Sequence, residues 1–151
     1  MKRETFNRAG VKLYILAALS FIAFGFATVA GLDSYEVFLN DKLILKNHVN
    51  EPLDLRKLQL QSASDQDRLK IQYRHCTNKG VGTGRSLTIK DQKGNILKKW
   101  EFADGSSSGP AMVIPVKILR ELENQSGGNE LSLYYTAQEL PKGEMLASLR
   151  F

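Results

Sequence analysis

The sequence predicts an all-β fold: an antiparallel sandwich of about seven or eight short strands with one short helix, behind an N-terminal export segment. Three observations predict it. Residues 69–74 alternate cleanly, with Leu69, Ile71 and Tyr73 on one side and Lys70, Gln72 and Arg74 on the other. Period-two alternation is the mark of a half-buried strand. Short apolar or alternating runs recur between Gly-, Asn- and Pro-rich breaks along the rest of the chain, as in sandwiches and barrels. A single helical spacing, Val116, Leu119 and Leu122, cannot supply the repeated crossovers of a parallel sheet.

The elements follow in order. Tyr35–Leu39 and Leu43–Leu45 flank Asn40-Asp41 and read as a hairpin. Asn47–Pro52 is a loop, Lys57–Gln61 a weakly patterned strand, and Ser62–Asp67 a turn. The strand from Arg68 is expected to run to Cys76, leaving Cys76 largely buried at its end as a small hydrophobe. Thr77–Gly84 is Gly-rich and breaks it. Ser86–Lys90 and Ile96–Phe102 are strands joined by a turn at Asp91–Asn95, with Ile96, Trp100 and Phe102 on one face. Ala103–Pro110 is a Gly/Ser loop. Met112–Val116 is a strand, and Pro115 suits the start of the short helix, which Gly127-Gly128 ends. Leu131–Thr136 alternates. Pro141-Lys142-Gly143 reads as a turn before a last strand ending at Phe151. The closing order, strand, helix, strand, turn, strand, is that of the end of an immunoglobulin-like sandwich, although one cysteine cannot supply the Cys…Trp…Cys pattern of antibody domains.

Two parts are expected, 1–30 and a single sandwich domain at 33–151. Lys2, Arg3, Arg8 and Lys12 precede Leu13–Leu32, 20 residues without a charge. A basic start, an apolar run and small residues make an export signal, with Thr28-Val29-Ala30 as its cleavage site. The run is also long enough to be an uncleaved anchor. Either way the expected location is across the inner membrane: periplasmic, or anchored and facing the periplasm. Without residues 1–30 the chain keeps 17 basic and 15 acidic residues and no dense basic run. That balance argues against nucleic acid as a partner.

Tyr73-Arg74-His75-Cys76, Gly82–Asp91, Leu97–Asp104, Tyr134-Tyr135 and Glu139–Gly143 together resemble a group of small exported proteins of Bacteroidota bacteria. The resemblance covers most of the exported body. It implies an envelope location and carries no catalytic residue with it.

Few residues offer chemistry. Gly105-Ser106-Ser107-Ser108-Gly109 fits G-x-S-x-G, but both histidines precede it and no strand-to-helix turn is expected there. Gly80–Arg85 has a phosphate loop's glycines without its helix, and Arg85 at the loop mouth could hold an anion or pair within the chain. His75 and Cys76 are adjacent soft donors, which a strand would point to opposite sides. No catalytic, metal or cofactor set is assigned. The expected function is a non-enzymatic binding or accessory module of the cell envelope, with a protein or glycan as partner. The alternatives are a structural or assembly component, and a small hydrolase or metal-handling protein using His75, Cys76 and Arg85. The Thr77–Gly84 and Ala103–Pro110 loops are expected at one end of the sandwich, with Pro141–Gly143 at the other. His75, Arg85 and Asp104 are the candidate binding residues.

Overall fold

The computed structural model describes residues 32–76, 80–105 and 111–151. The export-segment expectation and the serines of the G-x-S-x-G match fall outside them. The chain order is β1 (Ser34–Leu39), β2 (Lys42–His48), a 3-10 turn (Leu53–Leu55), β3 (Lys57–Gln59), β4 (Arg68–Arg74), β5 (Ser86–Lys90), β6 (Ile96–Glu101), β7 (Met112–Pro115), α1 (Val116–Gln125), β8 (Leu131–Ala137) and β9 (Leu140–Arg150). One sheet runs β2-β1-β4-β7 and the other β3-β9-β8-β5-β6.

The strands form where the side-chain period is two and one face is apolar. In β4, Leu69, Ile71 and Tyr73 are buried and their neighbours are not. In β8, Leu131, Leu133, Tyr135 and Ala137 are buried in the same rhythm. These faces meet Tyr35, Val37, Met112 and Ile114 from the four-stranded sheet and Leu87, Ile89, Ala147 and Leu149 from the five-stranded one in a single core. Each fully buried Leu or Ile contributes roughly 1.5–3 kcal/mol.

The β1–β2 turn uses Asn40 at a φ of 54°. Asn tolerates that left-handed conformation better than most residues, and its side chain also bonds Asp67 and the Arg68 amide. α1 begins at Pro115 without a side-chain cap. The Asp67 carbonyl accepts from Val116 N at 2.9 Å instead, so the turn before β4 does the capping.

Five expectations are corrected. Nine strands are described rather than seven or eight, because the weakest segment, at Lys57, does pair. It pairs parallel to β9, with Leu58 opposite Leu149, so the sheets are not wholly antiparallel. β3 and β9 are far apart in the chain and joined by no hairpin turn, so nothing local imposes an antiparallel direction on them. Pro141–Gly143 is not the β8–β9 turn. Gln138 and Glu139 make the turn, and Pro141–Gly143 lies within β9 as a bulge between the pairs Tyr135–Glu144 and Ala137–Leu140. Gly143 is required there: φ is 72°, and a Cβ would lie 2.7 Å from Thr136 Cγ2. Ile96 is 63% exposed, because a register shift next to Lys90 displaces it from the buried row. Cys76 is only half-buried, because β4 ends at Arg74, two residues earlier.

Candidate functional site

Antiparallel pairing brings several chain segments to one end of the molecule. Ser34 lies opposite Arg74, and Ser86 opposite both Glu101 and Thr136. The segments that follow β4 and β6, and the β8–β9 turn, therefore share an end. Their described parts touch. Gly105 N donates to Gly82 O at 2.6 Å, and Gln138 N to Thr83 O at 2.8 Å. Gly84 N donates to Asp104 Oδ1 at 2.8 Å, and Arg85 Nε to Ala103 O at 2.7 Å. The β8–β9 hairpin tip belongs to this same end, so Pro141–Gly143 cannot mark the opposite one.

Glu139 fastens the glycine loop. Its carboxylate accepts from Gly82 N at 3.2 Å, from Thr83 N at 2.8 Å and from Thr83 Oγ1 at 2.9 Å. Burial works to raise its pKa, but the Thr83 and Gly82 donors outweigh burial and hold the carboxyl below its usual value. The loop amides that the sequence offers to an anion are thus engaged by an anion of the chain's own.

Beneath the loop lies a buried polar layer. The His75 side chain is 0% exposed, and its Nε2 is 2.9 Å from Tyr135 Oη. Tyr135 stacks on Tyr73 with ring centroids 4.0 Å apart, and Tyr73 stacks on Tyr35 at 6.4 Å. Tyr73 Oη donates to Asp33 Oδ2 at 3.0 Å, and Cys76 N donates to Asp33 Oδ1 at 2.9 Å. His75 Nδ1 is 3.4 Å from Asp33 Oδ2 but makes no hydrogen bond. Burial raises the Tyr73 hydroxyl, and the Asp33 charge adds to the rise. Burial also raises Tyr135, against the pull of the Arg85 guanidinium. Tyr35 is pushed up by burial to about 12, with Arg56 opposing. All three tyrosines keep their protons at neutral pH and remain hydrogen-bond donors.

Gly82 closes this layer from above. A Cβ there would lie 2.9 Å from Tyr135 Oη, 3.1 Å from Arg85 Cδ and 3.2 Å from His75 Nε2. The backbone approaches so closely that only glycine fits. His75 and Arg85 therefore meet under one loop, with Arg85 5% exposed as part of the loop's support. Asp104 is exposed at the rim, and Val81 at the loop is 52% exposed. Cys76 reaches the group through its backbone. Among the described residues, no three His, Cys, Asp or Glu side chains converge as metal ligands. A cavity of about 220 Å³ lies at the other end, lined by Asp91, Lys93, Leu97, Gln125 and Asn129 among others.

Asp33, Tyr73, Tyr135 and Glu139 are members of this group that sequence reasoning did not assign to a site. Tyr135 does fall in the Tyr134-Tyr135 pair, where alternation requires one ring to enter the core. Tyr135 is that ring, and Tyr134 lies on the other face under the Lys90 ammonium at 4.2 Å.

A second buried polar group surrounds Arg56. Its Nε donates to Glu51 O, its Nη1 to Glu144 Oε1 and Met145 O at 2.6 Å each, and its Nη2 to Val49 O and Glu51 O. The side chain is 3% exposed. It ties the β2–β3 connection onto β9.

No protein-family model, curated protein or solved structure matches this chain.

Proposed function

We propose that the chain is an exported, immunoglobulin-like sandwich that serves the cell envelope as a non-enzymatic binding or accessory module. It meets a protein or glycan partner with the loop end described above. One observation carries this reading: three separate connections are stitched to one another by main-chain hydrogen bonds, while Val81 and Asp104 stay exposed on top. A fixed loop end on a rigid sandwich loses little entropy on binding, which is how sandwich frameworks present contact residues. The immunoglobulin-like assignment is supported by the sheet orders, by α1 crossing between β7 and β8, and by the parallel strand beside β9. Export across the inner membrane rests on the basic start and the uncharged Leu13–Leu32 run, and the resemblance to exported Bacteroidota proteins agrees with it.

Fractionation of cells making a C-terminally tagged chain tests the location. Recovery in the envelope is expected, and recovery of untruncated protein in the cytoplasm overturns it. Affinity capture from that fraction tests the surface. Val81→Asp is expected to remove the co-purifying partner without lowering the melting temperature, and Asp104→Lys to remove it with a small loss of stability, because the Gly84 amide loses its acceptor. A partner held equally well by both variants places the contact elsewhere.

A further inference from the structure

We propose that the chain pairs with a second copy of itself through β6, joining two five-stranded sheets into one. Among the described residues β6 is an outer strand, with β5 on one side only. The bond from Phe102 N to Arg85 O fixes the phase of the β5–β6 ladder. With Leu87 opposite Trp100, the backbone groups of Trp100 and Phe102 turn to β5, and those of Lys99 and Glu101 turn outward. The other outer strands fit a second copy less well. β7 is four residues long and ends in Pro115, and β3 is three residues long. β2 carries Lys42 and Lys46 with no acid of its own, so it has no opposite charge on the strand to set against a second copy's lysines.

In an antiparallel pair about a two-fold axis, opposed residues share a face, and outward-turned residues meet outward-turned ones. The allowed registers are therefore two residues apart. One of them sets Trp100 on the axis. Lys99 then lies opposite the copy's Glu101, and Glu101 opposite its Lys99, each pair exchanging two main-chain hydrogen bonds. A shift in one direction sets Lys99 against Lys99, and in the other Glu101 against Glu101. Opposite charges across strands stabilise pairing and like charges oppose it, so the sequence of β6 selects one register. Lys99 is 50% exposed and Glu101 81%, and within one chain they pair only with each other, at 3.2 Å. Trp100, the only tryptophan, is half-buried and becomes covered by its symmetry mate. Lysines on outer strands also serve to keep strands apart. Here the acid two residues on reverses that effect for a second copy.

Sedimentation of the full-length chain between about 1 µM and about 1 mM tests the pairing. A reversible dimer is expected, with Trp100 emission moving to shorter wavelength as it forms. Lys99→Glu and Glu101→Lys, each confirmed as folded by its melting curve, are expected to weaken the dimer roughly tenfold or more. The double exchange, Lys99→Glu with Glu101→Lys, restores both cross-strand pairs and is expected to restore the dimer. A monomer at every concentration overturns the proposal. So does a dimer indifferent to the single changes, or a folded double variant that stays monomeric.

Discussion

The Arg56 side chain lies 3% exposed under the loop between β2 and β3, and the His75 side chain 0% exposed under the loop between β4 and β5. The five N–H donors of Arg56 are all engaged, four of the contacts being main-chain carbonyls and one the Glu144 carboxylate. His75 has one nitrogen bound to a tyrosine hydroxyl and the other 3.4 Å from a carboxylate without a hydrogen bond. A buried group satisfied by carbonyls of two segments is a fastener, because its energy depends on those segments staying put. A buried imidazole held by side chains, with one nitrogen near a carboxylate but not hydrogen-bonded, is a less common arrangement and calls for an explanation. Its position gives one: the imidazole fills the space between the tyrosine rings and the backbone of Gly82. The stacked tyrosines Tyr35, Tyr73 and Tyr135 belong to the core that joins the two sheets, and the His75 ring packs against both Tyr73 and Tyr135.

The largest expected effect breaks the fastener. Arg56→Ala leaves Glu144 and several carbonyls without their partner, and a loss of about 3–5 kcal/mol in unfolding free energy is expected by denaturant titration. Arg56→Lys should recover little of it, since an ammonium has too few donors and no planar fork. Next comes the loop over His75. Gly82 has a φ of +91°, and an added methyl would meet Tyr135 and His75, so Gly82→Ala should cost about 2 kcal/mol and move the His75 ring resonances. A stable variant with an unmoved ring would mean that the loop does not rest on the layer. Tyr135→Phe removes only the hydroxyl on Nε2, with an expected loss of about 1 kcal/mol. The smallest effect is confined to acid. The Glu139 carboxyl is held below its usual 4.5, so its contribution is complete above that value and is lost as pH falls through the lower folded one. Thermal melts should show the wild-type chain losing stability faster than Glu139→Gln on acidification below about pH 4.5. Parallel curves would remove Glu139 from the list of fasteners.

Much of the framework is legible in the sequence, because strands with one buried face write their geometry as alternation. β4 and β8 are clear for that reason. The β8–β9 turn is misplaced because Pro141-Lys142-Gly143 has turn chemistry and Gln138-Glu139 has none. A bulge uses the same residue types as a turn. The site is half legible. His75, Arg85 and Asp104 stand beside glycine-rich stretches and draw notice. Asp33 and Glu139 do not, since their partners lie 43 and 56 residues away. Arg56 is the hardest to find. Its partners are mostly main-chain carbonyls, which every residue carries, so no pattern separates it from the other basic residues of the body.

The most direct measurement places a photoactivatable cross-linker over each of the two regions in turn. Val81, 52% exposed, lies in the loop above His75, and Leu55, 59% exposed, lies in the turn beside Arg56. Irradiation of native envelopes is expected to give a discrete protein or glycan adduct from Val81, lost when Asp104→Lys is added, and none from Leu55. A discrete adduct from Leu55 with none from Val81 would contradict the assignment of the loop end as the contact surface.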